Sequence, residues 1–141
     1  MQMRFAFAAL ASVAMVSSCG LGGDNQERQL VQEVSGGVNP YLWRASLDTF
    51  EDMPLDGPPN TLGGVIVYDW KSFPTAPDER LKATVFILDT RLRADGVKVS
   101  VFRQVRENGA WVDADVDPAT SIQLENSILE RARRLKVAEL G

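Results

Sequence analysis

Near its middle the chain alternates apolar and polar residues and includes a tight turn, in the stretch VKVSVFRQVRENGAWV at residues 97–112. Such alternation is typical of a β-strand with one buried face. Asn108-Gly109 is the strongest short-range signal for a two-residue β-hairpin. The stretch therefore predicts two antiparallel strands. The buried face of the longer strand is formed by valines at alternating positions, Val97, Val99, Val101 and Val105.

Two further strands precede this hairpin. Residues 65–70 are short and rich in β-branched and aromatic side chains, as strands are. After a loop at residues 74–78, apolar residues alternate again, at Leu81, Ala83, Val85 and Ile87. Asp95-Gly96 marks the turn that leads into the valine-rich strand. We therefore expect about four strands, the last three of which form an antiparallel meander.

Both ends of this strand region carry a helix signal. Asn39-Pro40 provides an N-cap and a first helical residue, and Asp117-Pro118 repeats the arrangement. The first helix is expected to end at Pro54 and to bury a stripe of Trp43, Leu47 and Phe50. The second helix carries one broad apolar arc of Leu124, Ile128, Leu129, Ala132 and Leu135.

The order of elements predicts an α+β fold, in which an antiparallel sheet is flanked by an N-terminal and a C-terminal helix. Both helices are expected on one face of the sheet, within a single domain at residues 38–141. Residues 19–37 are polar and flanked by glycines. They are predicted to be a flexible tether, with a mean span of roughly 23 Å.

The first 18 residues have the layout of a lipoprotein signal peptide. Arg4 precedes an apolar run at residues 5–16, and Ser17-Ser18 stands before Cys19. The run is too short to span a bilayer as a helix. Cys19 is the only cysteine of the chain and is predicted to carry lipid, with an ordinary secretory signal as the alternative. Because glycine and not aspartate follows Cys19, we expect anchoring in the outer membrane, facing the periplasm.

Composition excludes several kinds of site. The formal net charge is −4, which argues against nucleic acid as a partner. The chain contains no histidine, so it cannot build a Ser-His or Cys-His nucleophile or a histidine metal site. We therefore predict no catalytic residues, no metal and no cofactor. Asp69 and Asp89 are the carboxylates considered for glycoside hydrolysis, which needs two such groups at a set separation.

The second face of the predicted sheet is the candidate binding site. Its positions are not simply polar, and an exposed apolar and aromatic patch marks an interaction surface. The alternative is that a helix, the loop at residues 56–62 or a dimer partner covers this face. The candidate residues are Tyr68, Trp70, Phe86, Leu88 and Phe102.

Several runs of sequence resemble the domain-of-unknown-function 3576 family of Gram-negative lipoproteins. They are GVNPYLWRASLDT at residues 37–49, GGVI at 63–66 with Asp69-Trp70, RLRADG at 91–96, VSVFRQ at 99–104, WVD at 111–113 and QLEN at 123–126. The resemblance spans about residues 37–136. It implies a lipoprotein with one domain, and it implies no activity and no functional residues.

The expected function is that of a non-catalytic binding or adaptor module in cell-envelope assembly or maintenance. Its expected contacts are the membrane, through lipidated Cys19, and an envelope protein partner. A peptidoglycan-acting enzyme is the main alternative. A lipid-carrier domain, which would need a hollow between helices and sheet, is the other.

Overall fold

The computed structural model describes residues 37–141. The predicted signal peptide, Cys19 and all but the last residue of the tether lie outside the described residues. The elements are α1 (Pro40–Thr49), β1 (Val65–Phe73), β2 (Ala76–Ile87), β3 (Val97–Glu107), β4 (Ala110–Ala114) and α2 (Pro118–Leu140). The predicted α+β order of one helix, four strands and one helix is confirmed.

The four strands form one antiparallel meander in the order β1-β2-β3-β4. Asn108 and Gly109 join β3 to β4 with φ angles of 49° and 81°. Positive φ at both central residues is what the tight hairpin turn requires, and asparagine and glycine tolerate it best. Val85 lies opposite Val99, which aligns the apolar faces of β2 and β3.

Three predicted boundaries were wrong, and the first is the end of β1, which lies at Phe73, three residues beyond the predicted strand. Helix α1 ends at Thr49, and Phe50 caps it, four residues before Pro54. The amide of Met53 donates to the carbonyl of Phe50 (2.9 Å), so a turn replaces the last helical residues. Strand β2 begins at Ala76, which reduces the predicted loop to a short turn.

Both helices pack on one face of the sheet, as predicted. Asn39 Oδ1 accepts the Leu42 amide (3.0 Å), which caps α1, while Asn39 Nδ2 donates to the Thr90 carbonyl (3.1 Å) after β2. Asp117 caps α2 by accepting the Ala119 amide (2.9 Å). The centre of the core has no solvent exposure at Leu42, Ile66, Val85, Val97 and Ile128.

The edges of the sheet are covered in different ways. The segment before β1 runs along its free edge: the Asp56 amide donates to the Val67 carbonyl, and the Asp69 amide donates to the Pro54 carbonyl (2.8 Å each). At the other edge, β4 pairs only with the second half of β3. There Glu125 of α2 accepts the Val99 amide (3.0 Å), which satisfies an edge donor. Within residues 37–141, neither α1 nor α2 combines the length and the apolar composition of a membrane-spanning helix.

Candidate functional site

The face of the sheet turned away from the helices is called the outer face here. Strand register places its side chains in rows, because directly opposed residues project to the same side. Lys82 lies opposite Phe102, and Arg80 lies opposite Gln104. Its residues are Val65, Val67, Trp70, Arg80, Lys82, Thr84, Phe86, Lys98, Ser100, Phe102, Gln104, Arg106, Trp111 and Asp113.

Four of the five predicted patch residues lie on or beside this outer face. Phe102 is 54% exposed, and Leu88, immediately after β2, is 61% exposed. Phe86 and Trp70 are half-buried. The outer face therefore carries large apolar side chains in contact with water.

The fifth, Tyr68, was predicted wrongly, because it belongs to the core and is only 2% exposed. Its ring stacks on Phe50, with centroids 4.8 Å apart, and its hydroxyl donates to the Ser46 carbonyl (3.4 Å). Burial, with a smaller contribution from the charge of Asp48, raises the pKa of Tyr68 to about 12. Tyr68 supports the contact between α1 and the sheet.

A β-bulge explains why Trp70 and Tyr68 lie on opposite faces although they are two residues apart. Asp69 and Trp70 together oppose one residue of β2, Lys82. Asp69 Oδ1 accepts the Trp70 amide (2.7 Å), which stabilises the bulge. An extra residue inverts the alternation that follows, and bulges often redirect a side chain in this way. The carboxylate of Asp69 thus has a local structural role.

The redirected Trp70 forms one side of a cation–π stack. The guanidinium of Arg80 lies 4.7 Å from the ring centroid of Trp70 and 4.5 Å from that of Trp111. Arg80 Nε and Nη2 donate to Gln104 Oε1 (2.8 and 2.5 Å). Gln104 Nε2 donates in turn to Asp113 Oδ1 (2.8 Å). The network holds the guanidinium between two indole rings.

A second guanidinium, that of Arg106, lies 4.7 Å from the ring centroid of Trp111. The stack thus alternates aromatic rings and cations across the outer face. Sequence reasoning missed Arg80, Gln104, Arg106 and Trp111 as site residues. The alternation of β3 placed Gln104 on this face, but the stack depends on the register of strands that are not neighbours.

An open depression lies beside this stack, where β4 ends and leaves β3. Its lining is more apolar than polar and includes Trp70, Phe102, Asp113, Ala114 and Val116. Trp70 borders both the depression and the Arg80 guanidinium. An apolar recess and a positive group are therefore adjacent.

The loop at residues 56–62 does not extend over this region. It follows the free edge of β1, where Asn60 pairs with Val65. Asp56 Oδ2 reaches Lys82 Nζ (3.2 Å), while Leu62 is 80% exposed. Because Phe102 is 54% exposed, the alternative in which this loop covers the outer face is wrong at that residue.

The two carboxylates considered for hydrolysis lie far apart. Asp69 sits at the bulge, and Asp89 follows β2 at the opposite end of the sheet, roughly 20 Å away by strand rise. Hydrogen bonds from Arg91 hold the pKa of Asp89 below its ordinary value. Glycosidase carboxyl groups are roughly 5–10 Å apart, so these two cannot act as such a pair.

A cluster of charged side chains between the helices has a structural role. Arg44 Nε and Asp48 Oδ1, one helical turn apart on α1, form an ion pair at 2.9 Å, and Arg131 of α2 joins them at 3.5 Å. This three-residue cluster links the two helices. Within residues 37–141 there is no group of three acidic or cysteine side chains placed to hold a metal ion.

Comparison with known proteins identifies the family. The family model for a domain of unknown function, number 3576, matches residues 36–137. The chain belongs to the domain-of-unknown-function 3576 family. The matched region contains both helices, except the end of α2, and the complete outer face. The resemblance noted in the sequence is thereby confirmed.

A curated protein of similar sequence is an uncharacterised protein of Rickettsia prowazekii (strain Madrid E), 33% identical over 100 residues. The alignment covers 71% of this chain and 59% of the relative, so the chain spans little more than half of that protein. No solved structure matches.

Proposed function

We propose that this member of the domain-of-unknown-function 3576 family is a lipid-anchored, non-catalytic binding module. It is held in the outer membrane by Cys19, faces the periplasm and binds an envelope protein in assembly or maintenance of the envelope. The observation that carries the proposal is the outer face, which presents Phe102, Leu88 and an arginine–tryptophan stack to solvent. Exposed apolar patches of this kind are typical of interaction sites.

The proposed location rests on the residues before the domain. A basic start, a short apolar run and small residues precede the single cysteine. One acyl chain binds a membrane weakly, and two or more bind it stably. A tether of the predicted length would let the outer face meet a partner above the lipid headgroups.

The chemistry of the outer face favours binding over hydrolysis. Its prominent groups are indoles, guanidinium groups and an amide, which recognise surfaces and anions. The carboxylate pair of the peptidoglycan alternative is widely separated. The lipid-carrier alternative needs a hollow between helices and sheet, and fully buried side chains such as Ile66, Val85 and Ile128 occupy that region.

Labelling of cells with a radioactive fatty acid tests the anchor. The wild-type chain should carry label and sediment with membranes, and Cys19→Ala should do neither. Ser18→Ala is the matched control, because it keeps a small residue before the cysteine and should retain the label. Label that persists on Cys19→Ala would contradict the anchor.

Incubation of the full chain with purified peptidoglycan sacculi separates binding from catalysis. The proposal predicts that no soluble fragments are released above the level of a boiled control. Release of fragments would favour the enzyme alternative.

A further inference from the structure

We propose that Arg80 is the receptor for a carboxylate, and that the outer face binds an acidic, partly apolar segment of a protein partner. The carboxylate contacts the guanidinium in the Trp70–Trp111 stack, and a neighbouring apolar side chain fills the adjacent depression. This inference rests on the proposed function, to which it adds the chemistry of the partner.

The position of Arg80 is fixed before any ligand arrives. Two indole rings hold the plane of its guanidinium, and Gln104 Oε1 accepts from Nε and Nη2. An arginine has five N–H donors, so three donors remain beyond these two contacts. A group held in its binding geometry loses little entropy when a ligand binds.

The two arginines of the outer face lack the acidic partners that most other arginines of the described chain have. Within residues 37–141, Arg80 and Arg106 have no carboxylate oxygen within ion-pair distance. Five arginines elsewhere are ion-paired with acidic side chains at 2.7–3.5 Å, namely Arg44, Arg91, Arg93, Arg103 and Arg131. The outer face thus keeps two guanidinium groups without a directly paired carboxylate, and its own carboxylate, Asp113, accepts from Gln104 Nε2 (2.8 Å). A carboxylate matches the planar fork of such a group.

The depression supplies the apolar half of the site. Trp70 and Phe102 line it together with Val116, and Trp70 also contacts Arg80. A ligand that satisfies both parts carries an acidic and an aliphatic group close together, as an acidic peptide segment does.

Two other occupants fit less well. A second copy of the outer face would bring a like set of guanidinium groups against Arg80 and Arg106. An anionic bilayer attracts clusters of free basic side chains. The lysines of this face are already engaged, since Lys82 pairs with Asp56 (3.2 Å) and Lys98 with Glu125 (3.6 Å). Charge complementarity therefore favours a carboxylate that reaches the stack.

A nuclear magnetic resonance titration of the full chain in uncharged detergent micelles tests the inference. The probe is the capped peptide GLEVEVG, and its counterpart GLQVQVG has the same shape without the carboxylates. The acidic peptide should shift the indole N–H signals of Trp70 and Trp111 and the Nε–H signal of Arg80. The buried indole of Trp43 is an internal reference, being 6% exposed.

Substitutions at Arg80 should weaken binding of the acidic peptide by different factors. Arg80→Gln should weaken peptide binding roughly ten-fold or more, and Arg80→Lys, which keeps the charge but loses the fork, should weaken it by several-fold. Arg133→Gln on the exposed side of α2 removes the same charge and should leave binding unchanged. The comparison of the two peptides on the wild-type chain remains decisive if Arg80 variants fail to fold.

Three results would overturn the inference. They are equal response to both peptides, no response to millimolar acidic peptide, and a response to dihexanoyl phosphatidylglycerol but to neither peptide. In each case, crosslinks formed in cells from Phe102 to an envelope protein would leave the broader proposed function standing. If Phe102 formed no such crosslinks, in contrast, the proposed binding function itself would be contradicted.

Discussion

The two faces of the sheet come from the same alternating sequence but differ in almost every other property. The helix-covered face carries aliphatic side chains with little or no exposure, such as Ile66 and Val85. The outer face carries aromatic rings, two unpaired guanidinium groups and the half-exposed Phe102. One face of an antiparallel sheet can pack on the core while the other meets water, and the groups on the water-facing side are the reason that we propose it as the binding surface.

The largest expected effect is a difference in the free energy of unfolding between substitutions on the two faces. Ile66→Ala should lower the free energy of unfolding by about 2–5 kcal/mol, because it leaves a cavity in the packed core. Phe102→Ser on the outer face should cost less than about 1 kcal/mol, since the side chain is already half-exposed. Urea denaturation of both variants measures the difference. Equal losses would mean that the outer face is also a core face.

The covered face should also respond to alkaline pH. Burial raises the pKa of Tyr68 from 10.0 to about 12, so the folded state favours the neutral phenol. The resulting stability is fully present below pH 10 and is lost as pH rises through about 12. By linkage the loss is at most about 3 kcal/mol, since each pKa unit corresponds to about 1.4 kcal/mol. Urea denaturation at a series of pH values measures it.

Tyr68→Phe should remove most of this pH dependence. Tyr41→Phe is the matched control. A hydrogen bond with Glu139 also raises the pKa of Tyr41, but that contact is exposed, so the larger part of the dependence should remain. An unchanged alkaline profile in Tyr68→Phe would show that this phenol is not buried as described.

A smaller effect concerns the bulge, which places Tyr68 and Trp70 on opposite faces of the sheet. Asp69→Ala removes the acceptor of the Trp70 amide and should cost about 1 kcal/mol. Asp69→Asn keeps an acceptor and should cost less. Because the bulge places Trp70 against Arg80, the alanine variant should also shift the Trp70 indole signal while that of Trp43 stays in place. An unmoved Trp70 signal would show that the bulge does not depend on Asp69.

Local sequence signals predicted the framework of this fold but not the composition of the site. Asn39, Asp117 and Asn108-Gly109 act over a few residues, so their caps and turn could be read directly. The end of α1 could not, because no helix-stop residue precedes Pro54, and the helix ends at Thr49 in a turn closed by the Met53 amide and the Phe50 carbonyl.

The site depends on longer-range geometry. Tyr68 and Trp70 are two residues apart, so regular alternation would place them on the same face of the sheet. Only the bulge, which was not predicted, places them on different faces. Arg80 meets Trp111 across strands β2 and β4, which are not neighbours, so their contact follows from register and not from spacing.

Site-specific photocrosslinking in living cells tests the central claim most directly. A benzophenone amino acid replaces Phe102 on the outer face in one strain and Ile122, 57% exposed on α2, in another. The account predicts that mass spectrometry finds an envelope protein attached to the chain at Phe102 and not at Ile122. Adducts from Ile122 alone, or equally from both positions, would contradict the assignment of the outer face as the binding surface.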